Sequence, residues 1–370
     1  MIMPGVIRLR RGVVLDVLTE RPGAVELSVH VDDEPTPSRA IAYPGMVGSV
    51  AAGDRVLVNT TAVALGLGTG GLHFVVAVEG SAGPPFSPSS RVMKLRYTPQ
   101  QVNVSVVEEA GGPYRDRAGE GLDGAPVVWL PLHSMLGPAA AGARAAGAAS
   151  IIYVMTAGAA LPCPLSRLID ALRRADLLDG VVTAGQAFGG DLEAVSTFSG
   201  LLAARQVLRA DVILVGDGPG NTGTGTTWGA TDVESAMAMN AAGILGGRPV
   251  AALRAGFGDA RERHRVLSHH TVTALTRVAL VPVHVAVPVI EDEAQRRLLW
   301  EALRATGLEQ HHQLVEVNGR PGLDLLAERG IEPESMGRGP GDDPAFFLAP
   351  AAAGVLAARM VAADRAWKQD

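Results

Sequence analysis

The chain has 370 residues and a formal net charge of −6. That length exceeds a usual single domain and predicts two. The acidic balance excludes the broad basic surface of a general nucleic-acid binder. The basic residues are nearly all arginine, with lysine only at Lys94 and Lys368. One cysteine, Cys163, leaves no internal disulfide and fits a reducing, cytoplasmic compartment. The start, MIMPGVIRLRRG, puts charges where a secretion signal needs its apolar stretch. The uncharged run over 145–166 is too rich in Ala, Gly and Pro for a membrane span, so no membrane association is expected.

In chain order, VVLDVL, AVELSVHV, AIAY, DRVLVN and LHFVVAVE are short strand-like runs. Turn signals such as Arg21-Pro22-Gly23 and Pro44-Gly45 separate them. This spacing predicts a small all-β barrel-like domain over 1–80, with no helix before about residue 130. GSAGPPFSPSS predicts a linker over 81–90. RVMKLRY and VNVSVVEE read as strands that extend a second sheet. From Pro126, apolar runs alternate with helical segments: PVVWLPL, SIIYVM, GVVTA, DVILVG, PVAALR, VHVAVPV and HQLVEV. The segment from about Leu192 to Leu208 reads as one long helix. Continuously apolar strands belong in a sheet covered on both faces. Residues 91–370 are therefore expected to form a doubly wound, mostly parallel, Rossmann-like α/β domain. A last apolar helix, over 345–365, is expected to pack on that domain or on a second subunit, giving a homodimer.

In such a sheet, ligands bind beyond the carboxyl ends of the strands. The loops there carry most of the polar chemistry: His133 and Ser134 after PVVWLPL, and Gln186 after GVVTA. GDGPGNTGTGTTWG follows DVILVG, and there Gly216, Gly218, Gly220, Gly223 and Gly225 interleave with Asn221, Thr224 and Thr226. Glycines let backbone N–H groups approach a ligand, and the next helix N-terminus favours an anion. Gly218-x-Gly220-x-x-Gly223 matches a dinucleotide fingerprint by letter. Pro219 lacks an N–H, however, and the helix is expected only near Thr231 or Asp232, so the loop reads as an anion or polar-ligand loop. No cofactor is assigned.

The loop after PVAALR, AGFGDARERHRVLSHH, carries Arg261, Arg263 and Arg265, suited to phosphate or carboxylate. It also carries His264, His269 and His270, the candidate proton-transfer groups. Ser268 is a candidate N-cap, and the helix N-terminus behind it keeps a following histidine neutral. Asp259, His264 and His269 could serve as metal ligands, but their spacing matches no specific signature, so no metal is assigned. His133 and Ser134 are adjacent in an extended segment and point to opposite faces, which argues against a hydrolase triad. Cys163, between two prolines, and His73 read as structural.

Together GDRVLVNTTAVALGLGTGGLHFV, PLHSM, TAGQAFGGDLEAV, GPGNTGTGTTWG and RERHRVLSHHT resemble an uncharacterised bacterial family, known only as a domain of unknown function. The resemblance spans nearly the whole chain and implies no established activity, cofactor or catalytic residue. The residues themselves suggest an enzyme acting on a small phosphorylated or carboxylated metabolite. A non-catalytic metabolite-binding or scaffold oligomer is an alternative. A nucleotide-cofactor oxidoreductase is another, with NAD disfavoured because PVAALR ends in Arg254 where an acidic residue would be needed.

Overall fold

The computed structural model describes residues 7–68, 70–84, 90–109, 111–112 and 121–367. Their contacts divide them into two units between Asn103 and Val104. In the first unit, β1 (Leu9–Arg21), β2 (Ala24–Val31), β3 (Ser38–Ala42), β4 (Arg55–Asn59) and β5 (Leu72–Val78) close a barrel in the order β1-β2-β3-β5-β4. β3 and β5 pair in parallel, and the other neighbours are antiparallel. This is a five-stranded Greek-key barrel. Alternate residues, among them Leu27, Val29 and Val31 of β2, fill its interior. Two one-turn helices interrupt the strands where none was expected, α1 (Pro44–Val47) and α2 (Thr61–Ala64). Pro44 has the fixed φ that suits a first helical turn, so a Pro-Gly turn signal here starts a helix instead.

The strands β6 (Val92–Lys94) and β7 (Val102–Val104) pair with each other and do not join the large sheet. Within the second unit, Val106 bridges Glu193, and the Val107 N–H donates to Glu193 O (2.9 Å). Of the linker expected over 81–90, residues 85–89 lie outside the described residues.

The second unit holds an eight-stranded parallel sheet. Its strands are β8 (Pro126–Leu130), β9 (Ile151–Thr156), β10 (Gly180–Ala184), β11 (Leu192–Ala194), β12 (Val212–Asp217), β13 (Arg248–Ala252), β16 (His284–Pro288) and β17 (Gln313–Val317), and a short hairpin of β14 (Ala255–Gly256) and β15 (Val266–Leu267) follows β13. The spatial order is β11-β10-β9-β12-β8-β13-β16-β17. Successive side chains alternate between the two faces: Val127 and Trp129 enter one core, Val128 and Leu130 the other. One face is covered by α5 (Thr197–Gln206), α6 (Thr231–Ser235), α7 (Met237–Ile244), α8 (His269–Thr273) and α9 (Glu293–Thr306). The other is covered by α3 (Leu136–Ala145), α4 (Arg167–Arg174), α10 (Arg320–Glu328) and α11 (Pro344–Trp367). This is the doubly wound architecture.

Leu192–Ala194 is an edge strand and not the start of a helix. The helix α5 begins only after Ser196, whose side chain accepts the Ser199 N–H in a capping box. The helix α11 is long and apolar enough to span a membrane, but most of that stretch is buried inside the unit against α3, α10 and the sheet. It therefore spends most of its apolar surface on the core of its own unit.

The winding order locates the crevices. From β8 the chain passes outward through β9, β10 and β11, returns to β12, and then moves the other way through β13, β16 and β17. Connections diverge between β9 and β12 and again between β8 and β13, so both are switch points at the carboxyl edge.

Candidate functional site

At the first switch point β12 ends in Asp217, opposite Thr156 of β9. The buried Asp217 carboxylate accepts bonds from Thr156 Oγ1 (2.6 Å), the Gly158 N–H (3.0 Å) and Asn221 Nδ2 (3.0 Å). A side chain at 158 would collide with it, since a Cβ there would sit 2.5 Å from Oδ1. Burial raises the Asp217 pKa to about 6; the Thr156 and Gly158 bonds oppose that rise, while the Asp232 and Glu234 charges add to it. The crevice beside it, ≈ 320 Å³, runs from Thr156 and Gly158 past Phe198 to Ser235 and Asn240.

The glycine loop springs from Asp217 and folds back on itself. The Thr224 N–H donates to Gly229 O (2.8 Å), the Thr226 N–H to Thr224 Oγ1 (3.2 Å), the Gly229 N–H to Thr226 Oγ1 (3.2 Å) and the Thr231 N–H to Thr222 O (2.9 Å). Several donors foreseen for a ligand are thus spent inside the loop. Gly216 lies within β12, where a Cβ would sit 2.8 Å from Leu130 O. Gly218 packs as closely on Ala160 O, while Gly220, with φ of 94°, turns the chain. Gly225 has open space around its Cα. The helix begins at Thr231, as expected.

At the second switch point Arg254 follows β13, and the β14–β15 hairpin carries the histidines. The Ser268 N–H returns to Arg254 O (2.9 Å), closing the excursion. Val266, a β-branched residue, is held at φ of 65°, a conformation that costs on the order of 1–3 kcal/mol. The hairpin brings His264, His269 and His270 together: one ligand-capable atom of each lies within 4.8 Å of the others. The His269 and His270 rings stack with centroids 3.9 Å apart. His264 and His270 are buried and His269 is half-buried.

The histidine partners fix much of the tautomer pattern. His270 Nε2 must donate to the Thr224 carbonyl (3.1 Å), so its Nδ1 carries a lone pair. That lone pair faces Asp232 Oδ1 at 3.7 Å, and Asp232 Oδ2 is buried without a partner. His264 Nδ1 bonds Ser268 Oγ (2.9 Å), and His269 Nε2 is buried and unpartnered. Burial, with Arg254 and Arg261 next, pushes His264 down to about 3. Burial also lowers His269 and His270, assisted by Arg263 and Arg254. All three imidazoles are thus pushed toward the neutral form by burial first; for His269 and His270 this is the direction expected from a helix start, but the cause is burial. Asp232 is raised to about 6 by burial, against the pull of Arg254.

Other expected contributors are placed elsewhere. Asp259 is outside the cluster: Arg261 grips it with Nε and Nη2 (both 2.9 Å), and Arg254 (3.5 Å) and Arg338 (3.4 Å) also reach it. Burial works against that carboxylate, but the Arg261 and Arg338 cations outweigh it and hold it well below the usual range. Arg261 is therefore committed to Asp259, while Arg263 and Arg265 stand exposed on the hairpin. His133 is buried, its Nδ1 donating to Asp217 O (3.2 Å) and its Nε2 facing Ser166 Oγ (2.7 Å), so it braces two loops. Ser134 Oγ bonds Ser335 Oγ (3.0 Å). Gln186 follows β10, four strands from β13 and so on the order of 19 Å away. Asp217 and Asp232 were missed because an acidic residue at a strand end or in a first helical turn reads as a capping group. A larger cavity, ≈ 810 Å³, lies between α10 and the 330–341 segment, and neither Asp217 nor the three histidines line it.

Cys163 is buried, and burial pushes its thiol up to about 12. The native protein should leave it unmodified by maleimide at pH 7.5 over hours, with one adduct by mass spectrometry after denaturation. Rapid labelling of folded protein would contradict this.

A family model for a protein of unknown function, DUF3866, matches residues 39–354. The chain belongs to the DUF3866 family. The match runs from β3 of the barrel into α11, so both switch points of the DUF3866 sheet lie inside it. No curated protein matches the chain. The DUF3866 assignment accords with the long motifs from which the family resemblance was read.

Proposed function

We propose that this protein is an enzyme acting on a small phosphorylated or carboxylated metabolite at the carboxyl edge of the sheet, between the Thr224–Trp228 tip and the histidine hairpin. The observation that carries the reading is the convergence of three neutral imidazoles beside that loop, with His269 half-buried and its Nε2 unpartnered. Lone pairs in a buried, strained hairpin can take a proton or polarise a bound group. The exposed Arg263 and Arg265 supply the positive field an anion needs. The reducing compartment of this reading is the cytoplasm, consistent with a single buried thiol.

Binding without turnover is the second reading. The internally bonded glycine loop favours it, because its N–H groups build the loop first. The test is a thermal-shift panel of phosphorylated and carboxylated metabolites on the wild type and on His269→Ala. A true ligand at a hundredfold excess over its Kd contributes about 2.7 kcal/mol, a rise of roughly 5 °C. The reading requires that rise in the wild type and its loss in the variant, with product formed from the same compound. No stabilising metabolite, or a shift that survives in the variant, overturns it. Stabilisation without product leaves the second reading.

A further inference from the structure

We propose that His264, His269 and His270, together with Asp232, form a binding site for a divalent first-row transition-metal ion, with Zn²⁺ as the reference ion. The assignment begins with an electrostatic mismatch. The Nδ1 lone pair of His270 and the carboxylate oxygen of Asp232 are both acceptors, and they face each other at 3.7 Å in a buried place. Asp232 is 3 % exposed, and its second oxygen has no partner. Two facing acceptors repel unless a proton or a cation lies between them. The third observation is His269, whose Nε2 is also buried and unpartnered.

The outer contacts fit ligation. Metal-bound imidazoles ordinarily tie their other nitrogen to an oxygen, which fixes the ring and its tautomer. His270 does this through Nε2 to Thr224 O, and His264 through Nδ1 to Ser268 Oγ. The nitrogens left for the ion are His264 Nε2, His270 Nδ1 and the unpartnered His269 Nε2. Ligand atoms around tetrahedral Zn²⁺ lie about 3.4 Å apart, so the three histidines, with one ligand-capable atom each within 4.8 Å of the others, close on the ion by ring movements of about 1 Å, and Asp232, outside that set, approaches through its 3.7 Å contact with His270 Nδ1. Arg254, Arg261 and Arg263 would oppose a cation, but Arg254 and Arg261 lie against Asp259, which offsets their charge, and the Asp232 carboxylate faces His270. Imidazole with a single carboxylate suits Zn²⁺ and its first-row neighbours and not Ca²⁺ or Mg²⁺.

This site rests on the preceding reading only for its place at the carboxyl edge, and its test uses no metabolite. Untagged full-length protein, stripped with chelator, is titrated with ZnCl2 by calorimetry and with CoCl2 by visible absorption. One ion per chain is expected, with Co²⁺ giving the d–d bands of a low-coordinate nitrogen–oxygen site. His269→Gln should weaken binding by roughly a hundredfold or more, and Asp232→Asn should weaken it and alter the Co²⁺ spectrum. His311→Ala, an exposed histidine elsewhere, should change neither. Far-UV circular dichroism confirms that His269→Gln, at a half-buried position, remains folded. Absence of stoichiometric binding, or binding that His269→Gln and Asp232→Asn leave unchanged, overturns the site. A protein that binds Zn²⁺ but no metabolite overturns the anion reading alone, and the reverse result overturns the metal site alone.

Discussion

Gly354→Ala is expected to be among the most damaging single-methyl additions in the large unit. Gly354 sits in α11 where it crosses α3, and a Cβ there would lie 2.0 Å from Ala139 O and 2.7 Å from the Ala143 nitrogen. The contact is reciprocal: a Cβ on Gly142 of α3 would lie 2.1 Å from Ala351 O, and one on Gly322 of α10 would lie 2.7 Å from Gly142 Cα. Three helices therefore meet backbone to backbone on one face of the sheet. Helix propensity favours Ala over Gly by about 1 kcal/mol in a helix interior. The clash is with backbone atoms that no rotamer change can move, so it wins, and the helices must separate. The expected loss is about 3 kcal/mol or more. All four tryptophans, Trp129, Trp228, Trp300 and Trp367, belong to this unit, so urea unfolding followed by their fluorescence reports on it alone. Gly225→Ala, in open space on the glycine loop, should stay within about 0.5 kcal/mol of the wild type. If Gly354→Ala were as stable as Gly225→Ala, the close three-helix contact would be wrong.

The second large effect is a pH dependence carried by Asp217. Its folded pKa is raised to about 6 from an ordinary 3.8. Below about pH 4 both folded and unfolded chains hold the proton, and the group costs nothing. As the pH rises through 4 to 6 the unfolded chain ionises while the folded one resists, so unfolding gains. The penalty is complete above about pH 6 and amounts to about 3 kcal/mol. Asp217→Asn removes the titration. It also sets an amide against Asn221, which adds a constant cost independent of pH. The stability of Asp217→Asn relative to wild type, by urea titration at each pH, should therefore climb by about 3 kcal/mol between pH 4 and 7. Parallel curves for the two proteins would contradict the burial of this carboxylate.

The α/β fold was legible wherever one local signal decided the matter. PVVWL, IIYVM, GVVTA and VILVG are nearly all apolar and buried at every position because both faces of β8, β9, β10 and β12 are covered. Ser166 and Asp292 begin α4 and α9 by capping the N–H groups of the first turn. Legibility ended where periodicity is shared between states. Leu192–Ala194 has only three residues, too few to show a period of two, and it runs into a helix whose pattern absorbs it. The same limit applies at the site. The histidines could be assigned to one loop, but residues 264 and 269 meet across the turn at Val266, held at φ of 65°, and the His264 Nδ1–Ser268 Oγ bond. Two-residue strands give almost no signal in composition. The Asp232–His270 contact joins residues 38 apart, and nothing local to either records it. Conversely, Arg261 looked available because its partner Asp259, two residues away, was read as a separate candidate.

The placement of ligand chemistry at the histidine edge is tested most directly by a crystal structure of the protein grown with a small dianion such as phosphate. The account predicts the anion between the Thr224–Trp228 tip and His269, within hydrogen-bond reach of an imidazole and facing Arg263. An anion seated instead in the cavity between α10 and the 330–341 segment, with the histidine edge unliganded, would contradict it.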